Sequence, residues 1–143
     1  MLSLSCKAAI KAVIFLGTKF DSGEKSSIRD IAKYINENEH TVGKILQKLV
    51  RHNIVLSIKG PNGGFYISAG QKSQPIIHII EAIDGKEVFK QCGLGLTQCS
   101  ESHPCPIHND FKPVRDAFKK MCVEKKVIDL YNNVNEGLAY LIG

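Results

Sequence analysis

The chain has 143 residues with a hydrophobic share of 43%, enough for one small domain with an appendage or for two very small domains. No apolar run approaches the roughly 20 residues of a membrane-spanning helix, and the N-terminal segment lacks the pattern of a signal peptide. We therefore predict a cytoplasmic protein without a membrane partner. The net charge of +5 comes from residues 1–70, which carry ten Lys or Arg and five Asp or Glu, whereas residues 71–143 carry nine of each. This asymmetry favours a nucleic-acid-facing unit joined to a neutral one.

Apolar spacing predicts three helices in the first 52 residues. The first spans residues 4–19, with Leu4 among the side chains expected to be buried. The second begins at Ser27, and Asp30 is its capping-box partner. The third runs from about Glu39 to His52 and has a basic outer face. Two short amphipathic helices joined by a tight polar turn are typical of a helix-turn-helix, although an ordinary helical bundle is the alternative.

A β-hairpin is predicted directly after these helices. Residues 54–59 and 65–68 are rich in β-branched and aromatic side chains, and they flank a glycine-rich turn. Within that turn, Asn62 and Gly63 are expected to supply the positive φ angles of a hairpin tip. A tip without acidic or bulky side chains suits insertion along the minor groove of DNA. We therefore predict a mainly α fold with a small β wing, in which residues 1–70 form a winged helix-turn-helix DNA-binding domain.

The third helix and the wing tip carry the candidate DNA-binding residues. Three lie near the N-terminal end of the helix and are predicted to face base edges: His40, Thr41 and Lys44. Three more are basic and are predicted to hold phosphates: Lys48, Arg51 and Lys59. The wing tip adds Pro61, Asn62 and Gly63.

The second half of the chain predicts a helix from Pro75 to Asp84, a long helix from about Pro106 to Glu124, and a short helix after Val127. Pro113 lies inside the long helix and is expected to kink it or to delay its start. The long helix has an apolar stripe that one short neighbouring helix could not cover. Its members are Ile107, Phe111, Val114, Phe118, Met121 and Cys122. We therefore predict a homodimer in which the partner chain covers this stripe.

Between the predicted helix that ends at Asp84 and the long helix lies a loop that contains four potential metal ligands: Cys92, Cys99, Cys105 and His108. Thiolate and imidazole groups suit an iron–sulfur cluster or a tetrahedral zinc ion. The spacing, Cys-x6-Cys-x5-Cys-x2-His, lacks the close cysteine pairs of most zinc sites, which favours a cluster. A thiol or disulfide switch is a third possibility. For His108, the alternative to metal ligation is a surface residue that caps the helix. Cys6 and Cys122 are expected to be core residues.

Four stretches resemble the iron–sulfur winged-helix regulators of bacteria, the IscR- and NsrR-type proteins of the Rrf2 family: residues 26–32, 42–49, 57–65 and 80–85. The resemblance implies a homodimer that binds a palindromic operator in double-stranded DNA. It also implies that Cys92, Cys99 and Cys105 ligate a two-iron or four-iron cluster, and that His108 takes the position of the IscR-type histidine ligand. The carboxylate that NsrR-type members supply from the first helix of the other subunit has no counterpart in residues 5–9. Cys6 lies near that position, so the resemblance gives it ligation of the partner's cluster as the alternative to a core role.

The chain shows neither a nucleophile-elbow pattern nor a phosphate-binding Gly-Lys-Ser/Thr loop, so we predict that it is not an enzyme. We predict a DNA-binding transcription regulator controlled by an iron–sulfur cluster that senses nitric oxide, redox state or iron–sulfur status. Residues 71–143 then form the cluster-binding loop and the dimerisation helices. The alternatives are a cluster-free thiol- or zinc-based regulator and a winged-helix module that contacts protein.

Overall fold

The computed structural model describes residues 2–142; Met1 and Gly143, the outermost residues of the two predicted units, lie outside the described part. The predicted fold class is confirmed, because the described chain is mainly helical and has a two-stranded antiparallel wing. The elements in chain order are α1 (Leu4–Thr18), α2 (Ile28–Ile35), α3 (Glu39–Arg51), β1 (Leu56–Ile58), β2 (Gly64–Tyr66), α4 (Ala69–Lys72), α5 (Ile77–Asp84), a 3₁₀ turn (Lys86–Phe89), α6 (His108–Glu124) and α7 (Val127–Asn135).

The helix-turn-helix is defined by local capping bonds. The predicted capping box at the start of α2 is present, since the Asp30 N–H donates to Ser27 Oγ at 3.1 Å and the Ser27 N–H donates to Asp30 Oδ2 at 3.4 Å. Asn36 ends α2 with a φ of 57°, a left-handed conformation that asparagine tolerates better than most residues. Asn38 then caps α3 by accepting a hydrogen bond of 2.8 Å from the His40 N–H. These bonds set the tight turn between the two helices.

The wing forms as predicted, but its tip has a different turn. The prediction that Asn62 and Gly63 adopt positive φ angles is wrong, since the positive angles near the tip belong to Gly60 (106°) and Gly64 (139°). The physical reason is Pro61, whose ring favours the second position of an ordinary four-residue turn. The Gly63 N–H closes that turn on the Gly60 carbonyl at 3.0 Å.

A third segment anchors the wing to the helices. Ser26, just before α2, exchanges two backbone hydrogen bonds with Phe65 of β2, at 2.9 and 2.8 Å. A Cβ atom on Gly64 would lie 2.9 Å from the Ser26 carbonyl oxygen, so this backbone approach requires glycine. The wing is therefore joined to the beginning of the helix-turn-helix as well as to its end.

The core combines both halves of the chain, because α1 packs against α2 and α3 of the first half and against α5 and α7 of the second. The approach of α1 to α7 is close, since a Cβ atom on Gly17 would lie 2.2 Å from Cδ2 of Tyr131. Two elements were not predicted, the short helix α4 and the 3₁₀ turn after α5. Pro113 lies inside α6 without delaying its start at His108.

Burial agrees with most, though not all, of the predicted core. Cys6 and Cys122 are completely buried, as predicted. Leu4 is 81% exposed, so its predicted burial is wrong for the isolated chain. The reason is its place as the first residue of α1, where Ser3 and Ser5 are exposed as well. On α6, Val114 and Met121 remain 55% and 44% exposed, and the predicted apolar stripe is only partly covered within one chain.

Candidate metal centre and nucleic-acid interface

Three cysteines of the loop before α6 converge on one point. The Sγ atoms of Cys92, Cys99 and Cys105 all lie within 4.8 Å of one another, a group that could hold a metal ion. The sulfurs of Cys92 and Cys105 are 3.4 Å apart although 13 positions separate the residues in sequence. The structure thus brings together the three thiols that the spacing of the sequence had singled out.

Backbone amides surround these sulfurs. The Leu94 N–H donates to Cys92 Sγ at 3.4 Å, and the Cys105 N–H donates to Cys99 Sγ at the same distance. A further bond of 2.9 Å, from the Gly95 N–H to the Cys92 carbonyl, closes a turn in which Gly95 has a φ of 75°. Amide hydrogen bonds to sulfur favour the negatively charged thiolate. The loop is therefore built to accommodate thiolate charge.

The pKa values of Cys92 and Cys105 shift in opposite directions. Burial raises the pKa of Cys92, but backbone N–H groups of Leu96 and Leu94 and the neighbouring thiols donate to its sulfur and lower the pKa to about 7. Burial is also the main influence on Cys105, where it raises the pKa. A metal-binding cysteine must be deprotonated. Of these two thiols, Cys92 is accordingly the one that is better prepared for ligation at neutral pH.

His108, the first residue of α6, completes the surroundings of the thiols. Its side chain is only 9% exposed, which does not fit a surface capping role. The imidazole Nδ1 lies 3.3 Å from Cys99 Sγ. Within residues 2–142 the buried Nε2 atom has no hydrogen-bond partner. The imidazole is therefore in contact with the Cys99 thiol.

Sequence reasoning missed Arg115, which reaches the loop from α6. Its Nη1 atom donates to the backbone carbonyls of Lys90 and Gln91, at 3.1 and 2.9 Å, directly before Cys92. One signal could have found it. Arg115 follows His108 by seven residues, which places both on one face of a helix.

The candidate DNA-binding residues of α3 lie along a solvent-facing surface. His40, Lys44 and Lys48 are exposed, and Thr41 is half-buried. These four residues line a surface cleft of about 300 Å³ that also includes Ser5 of α1 and Ile83 of α5. Arg51, the last residue of α3, is exposed but does not line the cleft.

The wing carries the other candidates. Lys59, Pro61 and Asn62 are exposed, and Gly63 is half-buried in the turn. The sequence analysis missed Lys25, whose Nζ atom lies 5.5 Å above the ring of Tyr66 at the base of the wing. Its position in a polar linker gave no sign of this contact. The wing therefore has basic residues near both its tip and its base.

No helix within residues 2–142 is long and apolar enough to cross a bilayer.

Residues 2–133 match the sequence model of the Rrf2 family, which is described as "Iron-dependent Transcriptional regulator". Among the relatives, the HTH-type transcriptional regulator NsrR of Oceanobacillus iheyensis is 27% identical over 134 residues, which cover 93% of this chain and 90% of that protein. NsrR of Geobacillus kaustophilus is 30% identical over 95 residues, 66% of this chain and 59% of that protein.

Solved structures show the same fold. CymR, the global cysteine regulator of B. subtilis, superposes with a TM-score of 0.75 at 20% identity, over 92% of this chain and 96% of that one. IscR of T. potens superposes with a TM-score of 0.72 at 16% identity, over 98% and 92%. The family match, the winged fold and the length of the alignments all support the same family assignment. The chain is a member of the Rrf2 family of DNA-binding transcription regulators, and it is not an enzyme.

Proposed function

We propose that this regulator is a cytoplasmic homodimer whose binding to a palindromic operator in double-stranded DNA is controlled by an iron–sulfur cluster. The observation that carries the proposal is the convergence of the Cys92, Cys99 and Cys105 sulfurs within 4.8 Å. The NsrR relatives and the IscR structure support it, because they belong to the family in which this chain falls. We further propose that residues 1–70 bind DNA and that residues 71–143 bind the cluster and form the dimer.

The residues present fit such a cluster. Three soft sulfur donors lie close together, and amide N–H groups already point at two of them. His108 is the proposed fourth ligand, since its imidazole contacts Cys99 Sγ and its buried Nε2 lacks a partner in the described chain. When bound, a two-iron or four-iron cluster would supply a centre that reacts with nitric oxide and with oxidants.

For DNA, we propose that α3 enters the major groove. His40, Thr41 and Lys44 would then read base edges from the cleft described above. The exposed basic groups of Lys48, Arg51 and Lys59 would hold phosphates. The wing tip, Pro61, Asn62 and Gly63, would follow the minor groove, where small side chains permit close approach.

Helix α5 connects the cysteine loop with the recognition helix α3. It packs on α1 and α3, and its C-terminal end continues through the 3₁₀ turn toward Cys92. Asp84, its last residue, accepts a hydrogen bond of 3.0 Å from the Ser3 N–H, and Ile83 lines the cleft beside Lys44. A displacement of the chain before Cys92 would therefore move groups that contact the recognition helix.

In a homodimer, a displacement of the chain before Cys92 would change the affinity for the operator. Val114 and Met121 of α6 are exposed apolar groups that a second copy would cover. In a dimer, two recognition helices must meet half-sites about 34 Å apart, one turn of DNA. A small shift of α6 would alter that separation and hence the affinity.

Anaerobic purification tests the cluster directly. We expect a brown protein with equal iron and acid-labile sulfide, and loss of both in Cys99→Ser. Cys122→Ala, which removes a buried thiol outside the loop, should retain them. A colourless protein that contains one zinc ion per chain would contradict the cluster.

The DNA role is tested separately by fluorescence anisotropy with a palindromic duplex selected from a random pool. We expect affinity to fall steeply with salt concentration, because phosphate contacts release counterions. Binding of a protein partner with no affinity for any duplex would instead favour the interaction module.

A thiol switch is the second candidate, favoured by the 3.4 Å between the Cys92 and Cys105 sulfurs. An oxidant such as diamide would accept two electrons and two protons as the disulfide forms. Mass spectrometry of iron-free protein should then find that disulfide, together with altered DNA affinity. Unchanged affinity after complete oxidation would exclude this candidate.

A further inference from the structure

The two peptide groups that precede Cys92 are held by a side chain from α6. Arg115 Nη1 donates to the carbonyl of Lys90 at 3.1 Å and to that of Gln91 at 2.9 Å. The Arg115 Nε atom is buried and has no hydrogen-bond partner in the described chain. None of the ion pairs found within residues 2–142 includes Arg115. Within the described chain its guanidinium is thus hydrogen-bonded to main-chain carbonyls and paired with no carboxylate.

The residue that follows Cys92 is pressed against the same helix. A Cβ atom on Gly93 would lie 2.8 Å from Cδ1 of Ile107 and 2.9 Å from Cγ of Phe111. His108, Phe111 and Arg115 are spaced three and four residues apart, so they share one face of α6. This face therefore carries the proposed fourth ligand and contacts the chain on both sides of Cys92.

We propose that Arg115 is a positioning residue of the cluster site, which fixes residues 90–93, here called the Cys92 arm, against α6 and places a positive charge beside the residue that precedes Cys92. The first part concerns the protein alone, whereas the second rests on the proposed function. A guanidinium is suited to this task because it remains charged and offers several donors in a rigid plane. Charge-assisted bonds to the two carbonyls are stronger than neutral ones.

The charge has a specific consequence for a bound cluster. Three thiolates give the site net negative charge, and each electron that enters increases it. A nearby cation in partly buried surroundings favours the more negative state, because the effective dielectric constant is low there. Arg115 should therefore raise the reduction potential of the cluster. A purely structural role would leave that potential unchanged when the arm is held by a neutral side chain.

Three variants separate these effects. Arg115→Lys keeps the charge with fewer donors, and Arg115→Gln keeps two donors without the charge. Lys119→Gln is the matched control, because it removes one positive charge from an exposed residue one turn further along the same helix. Should Arg115→Gln fail to fold, Arg115→Lys still tests the positioning of the arm, since it weakens the two-carbonyl contact.

The first measurement is hydrogen exchange in iron-free protein. The Gly95 N–H, which is bonded to the Cys92 carbonyl at 2.9 Å, reports the position of the arm. We expect exchange at Gly95 to rise about tenfold in Arg115→Gln, as loss of a charge-assisted bond implies, and to rise less in Arg115→Lys. Lys119→Gln should exchange like the parent protein. Unchanged exchange in both Arg115 variants would overturn the positioning role.

The second measurement is the cluster's reduction potential by anaerobic dye titration. We expect a lower potential in Arg115→Gln than in Arg115→Lys, with the parent and Lys119→Gln equal. Equal potentials in all four proteins would overturn the electrostatic role. If the parent protein binds no cluster, the proposed function fails together with the electrostatic role, and the exchange measurement still decides the positioning.

Discussion

Replacement of Gly93 by alanine should displace the chain beside Cys92, because the added Cβ would come too close to helix α6 and to Ile107 just before it. The added Cβ would lie 2.9 Å from Cγ of Phe111 and 2.8 Å from Cδ1 of Ile107. Ordinary carbon contacts lie near 3.5–4.0 Å, so the chain beside Cys92 must move by roughly 0.5–1 Å. The terminal methyl group of Ile107 can rotate away, but Cγ of Phe111 is fixed to the helix by its Cβ.

A shift of this size decides whether Cys92 still ligates. Metal–ligand distances are tolerated within about 0.2 Å, several times less than the required displacement. Global stability should change less, because the loop is exposed and can move outward. Overpacking that cannot relax costs about 1–3 kcal/mol, so we expect a loss at the lower end of that range.

The assay is anaerobic reconstitution followed by determination of iron and sulfide per chain, with thermal unfolding in parallel. We expect Gly93→Ala to lose most of its cluster and little of its thermal stability. Gly70→Ala is the matched control, since its nearest contact would be Ser68 Oγ at 3.8 Å within helix α4. A full iron content in Gly93→Ala, with Gly70→Ala equal to the parent, would refute this account of how α6 positions Cys92.

Three further predictions concern the fold and DNA binding. Ser27→Ala removes the capping box of α2 and should lower the free energy of unfolding by about 1 kcal/mol in urea titrations. Gly17→Ala places a Cβ 2.2 Å from Cδ2 of Tyr131 and should cost about 1–3 kcal/mol by the same assay, despite the better helix propensity of alanine. Lys48→Ala should weaken binding to all duplexes and reduce the slope of log affinity against log salt by about 1, whereas Lys44→Ala should also relax sequence preference. Equal slopes for Lys48→Ala and the parent would exclude a phosphate contact.

The wing shows where local patterning is sufficient and where it is not. Its two strands follow from β-branched and aromatic runs around a glycine-rich turn; the first lies within its predicted range, and the second begins one residue earlier than predicted, at Gly64. The turn type was wrong because Pro61 and the bridge from Ser26 to Phe65 place the positive φ angles at Gly60 and Gly64. A dipeptide rule for hairpins does not include a third segment from elsewhere in the chain.

The sequence by itself determined the helix-turn-helix, the wing and the identity of the cysteines that meet, because each depends on periodicity, capping or ligand chemistry within a short stretch. Only the tertiary structure showed that α1 joins both halves of the core and that Leu4 lies outside it. The contacts of Arg115 with Lys90 and Gln91 are likewise tertiary, across 25 and 24 positions. No local pattern encodes such contacts, since they depend on how α6 returns to the chain before the loop.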